Sequence, residues 1–149
     1  MNQHDVSVLS EAKKGLLYLT ANDWALVADK AARVAFKKGE TLVYKGKPTD
    51  GIYLLLKGSA KAQLPSRLTL VPIGAGEVCG EISFLDGLPA SADVVAYEDV
   101  EAYFLDRSTL QSLFELFPHL ASRFYRSLAT NLASRLRNVI GSRTGAVAK

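Results

Sequence analysis

The stretch GAGEVCGEISFLDGLPASADVVA, residues 74–96, decides the fold of this chain. Glycines open it, a short apolar segment follows at 83–85, and Asp-Gly-Leu-Pro at 86–89 precedes the β-branched residues at 94–95. Glycine supplies backbone conformations that other residues avoid, so these glycines predict tight turns. The order of these features predicts a short helix set between two strands.

In its residues this stretch resembles the phosphate-binding cassette of the cyclic nucleotide-binding domain. The resemblance lies in Gly80-Glu81-Ile82, in the turn at 86–89 and in the closing strand at 93–96. It extends over roughly residues 20–140, because the hairpin glycines before the cassette also follow the family's spacing. One residue departs from the family pattern: an arginine follows the proline in the family, whereas this chain has Ala90.

The resemblance implies a ligand site for cyclic AMP or cyclic GMP. Glu81 matches the glutamate that accepts a hydrogen bond from the ribose 2′-hydroxyl, and Ser91 matches a hydroxyl that helps to hold the phosphate. The residues alone leave alternatives open, because Glu81 also suits a helix start or a local ion pair, and Ser91 a bond to its own backbone. The expected ligand-contacting residues are Val78, Gly80, Glu81, Ile82, Ser83, Pro89, Ala90, Ser91, Asp93, Asn131 and Arg135.

The alanine at position 90 predicts weak binding of a phosphate. A charge-assisted, bidentate arginine–phosphate contact is strong, and truncating a buried one costs about 2–5 kcal/mol. Since about 1.4 kcal/mol is a factor of ten, the expected loss is about 1.5 to 3.5 orders of magnitude in affinity. Strand alternation also predicts Asp93 on the same face as Ser91, where its carboxylate would repel a phosphate.

Residues 33–106 carry the pattern of short strands separated by turns. Together with the resemblance they predict an α+β fold, an eight-stranded antiparallel β-roll of jelly-roll type flanked by an N-terminal helix and C-terminal helices. The predicted strands are residues 34–36, 41–44, 52–56, 60–64, 68–73, 94–96 and 100–105. The N-terminal helix is expected to begin at Thr20 as a cap, with Asp23 in its first turn.

The C-terminal part of the chain has a helical period. A short helix is expected over 109–117, followed by a longer one with Pro118 in its first turn. The apolar residues of the longer helix span more than half of its circumference, which predicts two packing partners. The resemblance implies that one of them is a second subunit, so a homodimer through the helix from Pro118 to Ile140 is expected. Gly141 is expected to end this helix.

These patterns predict one domain with loose ends. We expect a flexible N-terminus over 1–15, a cyclic nucleotide-binding-like domain over 16–141 and a flexible tail over 142–149. The tail leaves no room for a helix-turn-helix within this chain, so no DNA-binding module is expected in it.

Arg135 interrupts the apolar stripe formed by Leu128, Leu132 and Val139 of the long helix. A cation among apolar residues needs a partner. The sequence leaves several partners open: Glu81, Asp93, a ligand phosphate or an acidic group of a second subunit. The remaining alternative is that the apolar stem of Arg135 lies along the helix and its head reaches solvent.

The composition favours an ordinary globular protein. The chain has 149 residues, of which 48% are hydrophobic and 22% charged, and a net charge of +3. There is no secretory signal, no apolar run of membrane-spanning length and a single cysteine, Cys79, so a cytoplasmic protein without membrane contact is expected. Residues 116–149 hold no Asp or Glu; their cations suit either a helix end or an acidic partner.

The sequence predicts a regulatory protein rather than an enzyme. It contains no nucleophile elbow, no paired histidines at metal-ligand spacing and no phosphate loop of the Walker type. Three functions remain: a stand-alone sensory module that binds a cyclic nucleotide weakly and signals through its C-terminal helices, a ligand-free dimerisation or docking domain, and the sensor half of a truncated helix-turn-helix transcription factor.

Overall fold

The chain folds into a β-roll with helices at both ends. The computed structural model describes residues 1–63 and 70–148. Its elements in chain order are α1 (Gln3–Ser10), α2 (Ala21–Lys30), β1 (Ala32–Phe36), β2 (Thr41–Val43), β3 (Gly51–Lys57), β4 (Ala60–Gln63), β5 (Leu70–Ile73), β6 (Val78–Cys79), α3 (Glu81–Asp86), β7 (Asp93–Ala96), β8 (Val100–Asp106), α4 (Arg107–Leu116) and α5 (Pro118–Ala148).

The eight strands form two sheets of four strands each. Sheet 1 has the order β1-β8-β3-β6 and sheet 2 the order β2-β7-β4-β5. All strand pairs within them are antiparallel. The expected fold class is therefore confirmed. The sequence pattern did not locate β6, because two residues are too few for a periodicity to be recognised. Two predicted strand ends, residue 64 and residues 68–69, lie outside the described residues.

Sheet 1 is apolar on both faces because it separates two cores. On β3, Leu54 and Leu56 point into the core shared with the helices. Leu55, between them, points into the core between the two sheets. Successive side chains of a strand alternate between its faces, so this run of leucines serves both cores. The helix-side core also takes Phe124 and Leu128 of α5, which are fully buried.

The helix starts predicted from the sequence are present. The Thr20 hydroxyl accepts a bond from the Asp23 backbone N–H at 3.2 Å, and the Asp23 carboxylate accepts one from the Thr20 N–H at 2.9 Å. This reciprocal capping box satisfies two backbone donors at the start of α2. Pro118 is the first residue of α5, where its missing N–H leaves no hydrogen bond unmade.

The N-terminus differs from the loose segment that the sequence predicted. Residues 3–10 form α1, and Leu9 and Leu16 are each 2% exposed in the helix-side core. The Asp5 carboxylate is buried, pairs with Arg33 at 2.9 Å and accepts a hydrogen bond from the Tyr103 hydroxyl. These partners lie on β1 and β8, far along the chain, so local composition did not reveal them.

The expected end of the last helix at Gly141 is wrong. α5 continues through this residue to Ala148, and Gly141 is absent from the glycines with positive φ. Glycine inside a helix costs about 1 kcal/mol relative to alanine, which does not by itself end a helix. A glycine ends a helix by taking up a left-handed backbone conformation, which Gly141 does not adopt. Residues 142–148 are therefore helical rather than a frayed tail, and Lys149 lies outside the described residues.

Candidate functional site

The cassette turns sharply into α3 at Gly80. Its φ of +87° lies in the left-handed region, which favours glycine over residues with a Cβ atom. This turn places Glu81 at the first position of α3, beneath α5. At the other end of α3, the Arg107 guanidinium donates to the carbonyl oxygens of Ser83 at 3.0 Å and Phe84 at 3.1 Å. Arg107 thus fixes the end of α3 that lies away from Glu81.

A cavity of about 280 Å³ lies between sheet 2, α3 and α5. Its size is near the lower end of the range for ligand pockets. Most of its wall is aliphatic. The lining residues are Val43, Ala62, Val71, Ile73, Gly80, Glu81, Ile82, Ser83, Ala90, Ser91, Ala92, Val94, Leu132, Arg135, Leu136 and Val139.

An ion pair between Glu81 and Arg135 joins α3 to α5 across this cavity. The Arg135 Nη1 donates to Glu81 Oε1 at 2.5 Å, and Nη2 donates to the carbonyl oxygen of Val78 at 3.2 Å. The side chain of Glu81 is 3% exposed and that of Arg135 is 23% exposed. The sequence left the partner of Arg135 open; the structure gives it Glu81 and not Asp93.

Burial has the largest effect on the pKa of Glu81 in this pair. It raises the pKa of Glu81, because desolvation disfavours the carboxylate, and the Arg135 guanidinium offsets part of that rise. Burial likewise raises the pKa of the neighbouring Cys79 thiol. A thiol in this state is a poor nucleophile, so Cys79 acts as core filling and not as a reactive group.

Ala90, the residue that follows Pro89, is a closed part of the cavity wall. Ala90 is 8% exposed. Its N–H donates to the Lys47 carbonyl at 2.9 Å, and its carbonyl accepts from the Gly46 N–H at 2.8 Å. These two bonds tie the cassette to the turn after β2. Ser91 follows as an exposed residue at the cavity rim, and Ala90 itself brings only a methyl group to the lining.

Four of the expected ligand-contacting residues do not line the cavity: Val78, Pro89, Asp93 and Asn131. The expected repulsion by Asp93 is not supported by its position. β7 begins at Asp93, so Ser91 lies before the strand and strand alternation does not relate the two residues. The Asp93 carboxylate instead accepts a bond from the Lys45 N–H at 2.7 Å.

Asn131 holds the N-terminal segment instead of reaching a ligand. Its amide nitrogen donates to the Gly15 carbonyl at 2.6 Å, and its amide oxygen accepts from the Gly15 N–H at 3.4 Å. Both ends of this buried amide therefore have a partner. The contact spans 116 positions in the chain, and nothing in the local sequence could have indicated it.

A stripe of polar residues at every fourth position of α5 connects these contacts. Arg123 pairs with Asp23 of α2, and the Ser127 hydroxyl accepts from the Tyr18 N–H at 3.0 Å. Asn131 and Arg135 continue the stripe towards the cavity. Residues four apart lie on one face of a helix, so one face of α5 binds α2, the segment before it and the cassette in succession.

The fold and the cassette place the chain in a known family. A family model described as the cyclic nucleotide-binding domain matches residues 33–116. The chain therefore belongs to the cyclic nucleotide-binding domain family. Domains of this family are regulatory rather than catalytic.

Relatives with named ligands match this chain over part of their length. The cyclic AMP receptor protein of Thermus thermophilus is 33% identical over 109 residues, which are 70% of this chain and 49% of that protein. Cyclic GMP-binding protein C of Dictyostelium discoideum is 26% identical over 125 residues, 81% of this chain and 5% of that protein. The chain thus spans about half of the first relative and a small part of the second.

A solved structure supports the fold. The crystal structure of a cyclic nucleotide-binding domain from Methylobacillus flagellatus KT matches with a TM-score of 0.77 and 24% sequence identity. The match covers 91% of this chain and 78% of that one. This likeness concerns the fold alone.

The described residues contain neither a membrane-spanning helix nor a cluster of metal ligands. No helix there is long and apolar enough to cross a membrane. Nor do those residues bring three or more His, Cys, Asp or Glu side chains together as metal ligands.

Proposed function

We propose that this chain is a regulatory module that binds cyclic AMP or cyclic GMP weakly in the cavity between sheet 2, α3 and α5, and that α5 transmits the occupancy of the cavity. The observation that carries this proposal is the cavity itself. It is bounded on one side by a cassette that retains Gly80, Glu81 and Ser91, and on the other by a helix that reaches the N-terminal segment.

The weakness of the binding follows from Ala90. The cassette offers a phosphate no cation, so we expect a dissociation constant no tighter than tens of micromolar. The aliphatic wall suits the base and the sugar ring, which bury apolar surface. Glu81 remains available as an acceptor for a ribose hydroxyl if its arginine partner moves.

Isothermal titration calorimetry with cyclic AMP and cyclic GMP tests this proposal. A variant that fills the cavity, Ala62→Trp, should abolish the heat of binding, whereas Asn138→Trp, at an exposed position of α5 that does not line the cavity, should leave it unchanged. Ligand at about 100 times the dissociation constant should also raise the free energy of unfolding of the wild-type protein by about 2.7 kcal/mol. Absence of binding for both nucleotides would overturn the proposal in favour of a ligand-free docking domain.

Homodimerisation through α5 is the second part of this proposal. Leu136 is 60% exposed and Ile140 is 54% exposed, one turn apart on the same face. Apolar side chains repeated on one exposed helix face indicate a packing partner. A two-fold dimer would cover this face with its own copy.

Sedimentation velocity tests the dimer. Ile140→Glu, which changes the dimer face at a residue that does not line the cavity, should shift a dimer to a species of 16.1 kDa without loss of the β-roll. Asn138→Glu, an exposed position on the other side of α5, is the matched control and should leave the dimer intact. A wild-type protein that sediments as a monomer at high micromolar concentration would refute this part of the proposal.

A further inference from the structure

The cavity has one source of positive charge. Among the described residues that line it, Arg135 is the one with a cationic side chain. A guanidinium carries five N–H donors, and the bonds to Glu81 and to the Val78 carbonyl use two of them. Arg135 is also 23% exposed, so its head group is accessible from the cavity as well as bonded within the wall.

The cassette offers an anion fewer polar contacts than Arg135 does. At the family's arginine position stands the methyl group of Ala90, and Ser91 at the rim has one hydroxyl. The rest of the wall is largely aliphatic, and a phosphate in contact with it would lose hydration without compensation. An anionic ligand that enters this cavity therefore meets its strongest partner on α5 and not in the cassette.

We propose that Arg135 is the anion-binding and specificity-determining residue of this cavity, so that a ligand phosphate replaces Glu81 as the partner of its guanidinium. The negative end of the ligand then lies towards α5. This inference rests on the proposed function, since it assigns the residue that holds the phosphate of the nucleotide. A bidentate guanidinium–phosphate contact is stronger than a single bond to a carboxylate oxygen, and this difference favours the exchange.

The exchange leaves Glu81 in a buried site without its cation. The titratable groups that face it are Arg135 from α5, Glu77 from the turn before β6 and Cys79 from β6. Glu77, which lies 3.9 Å from the Lys14 ammonium group, adds repulsion that raises the pKa of Glu81 further. An unpaired buried carboxylate is strongly disfavoured, and burial already raises the pKa of Glu81. Glu81 therefore takes up a proton when the phosphate binds.

Proton uptake makes the affinity depend on pH. A site that binds one proton together with the ligand gains affinity as the pH falls, by up to about tenfold per pH unit between the free and the bound pKa of Glu81. The protonated carboxyl group can still donate to or accept from a ribose hydroxyl. The salt bridge between Glu81 and Arg135 thus occupies the anion site until a ligand phosphate displaces Glu81.

The experiment compares a charged with an uncharged ligand on three proteins. Cyclic AMP and adenosine are titrated into wild type, Arg135→Gln and, as a matched control, Arg137→Gln, which changes an exposed arginine on the same helix. We expect the affinity of Arg135→Gln for cyclic AMP to fall at least about tenfold, which is about 1.4 kcal/mol. Its affinity for adenosine, and both affinities of Arg137→Gln, should change by less than about threefold.

Calorimetry of the wild type in buffers of different ionisation enthalpy gives a second readout that does not depend on a variant. It should detect net proton uptake with cyclic AMP and none with adenosine. Equal cyclic AMP affinity in wild type and Arg135→Gln, an equal loss in Arg137→Gln, or binding without proton uptake would each overturn this inference while the proposed function stands. Failure of the wild type to bind any cyclic nucleotide would overturn both.

Discussion

Two arginines of α5 each pair with a buried carboxylate, but the surroundings of the two pairs differ. Arg123 pairs with Asp23, and three turns further along, Arg135 pairs with Glu81. Both carboxylates are almost fully buried, at 4% and 3% exposure, and both pairs have their shortest N···O distance at 2.5 Å. Their pKa values nevertheless move in opposite directions.

The reason lies in the number of donors around each carboxylate. Hydrogen bonds from Arg123 and from the Thr20 N–H lower the pKa of Asp23 despite its burial. At Glu81 the desolvation that comes with burial is the largest influence and raises the pKa, because the positive charge of Arg135 offsets only part of it. A carboxylate with several donors is held as an anion, whereas one with few can take up a proton. The first pair therefore fixes α5, whereas the second is the one for which we propose an exchange of partner.

The two halves of α5 differ in the same way. Before Asn131, Leu120, Phe124 and Leu128 are at most 1% exposed. Beyond it, Leu136 and Ile140 are more than half exposed, and contact with the cassette depends on the cavity wall and on Arg135. The first half belongs to the core, and the second forms one wall of the cavity.

The largest expected difference between the two halves of α5 is in their contribution to the free energy of unfolding. Phe124→Ala removes a fully buried ring that packs against Phe84 and Phe114, and it should lower the free energy of unfolding by about 3–5 kcal/mol. Leu136→Ala, in the exposed half, should change it by less than about 0.5 kcal/mol when both proteins are measured as monomers. Urea denaturation followed by circular dichroism measures both. Similar losses in the two variants would show that the halves of α5 are equally part of the core.

A second test adds a cation to the cassette. Ala90→Arg should strengthen the binding of cyclic AMP at least about tenfold, because the phosphate then gains a guanidinium on the side opposite Arg135. Leu88→Arg adds the same charge at an exposed position outside the cavity and should change the affinity little. Calorimetric titration measures the affinity of both variants for cyclic AMP. An equal gain in both variants would mean that net charge, and not a contact in the cavity, controls the affinity.

The smallest expected effect is the opposite pH dependence of the two pairs. The pKa of Asp23 lies below its ordinary value of 3.8, so its contribution is present above pH 3.8 and is lost as the pH falls through the lower folded-state pKa. The pKa of Glu81 lies above its ordinary value of 4.5, so the stability associated with its protonated form is present below pH 4.5 and is lost as the pH rises through the folded-state pKa.

Unfolding free energies measured between pH 3 and pH 8 can show this contrast. The stability advantage of wild type over Asp23→Asn should shrink towards acid pH, whereas wild type should lose stability relative to Glu81→Gln as the pH rises above 4.5. Parallel pH profiles for the two comparisons would contradict the view that one pair is fixed and the other exchangeable.

Much of the fold could be predicted from local patterns. The strands at 34–36, 52–56 and 100–105 were indicated by β-branched and aromatic runs, and the start of α2 by the Thr20–Asp23 spacing. The pattern missed β6, which has two residues. It was wrong about Gly141, because a glycine marks a helix end only when its backbone becomes left-handed there.

The candidate site could be predicted only in part. Its cassette side, including Glu81 and Ala90, lies in one continuous stretch and was found there. Arg135 stood out as a cation within an apolar stripe, but its partner was left open because Glu81 lies 54 positions away. The bonds of Asn131 to Gly15 and of Arg107 to the carbonyls of Ser83 and Phe84 were not predicted, because these partners are backbone groups without a sequence signature.

The sequence by itself determined the strand-and-turn pattern of the β-roll and, through the resemblance of residues 74–96 to the family's cassette, the place of the candidate site, since both depend on residues within short windows. Only the tertiary structure decided that α1 is packed, that α5 continues through Gly141 and that Arg135 pairs with Glu81. The physical reason is that the charge state and the partner of a polar group depend on burial and on donors brought from distant segments. Such contacts exist only once the chain has folded.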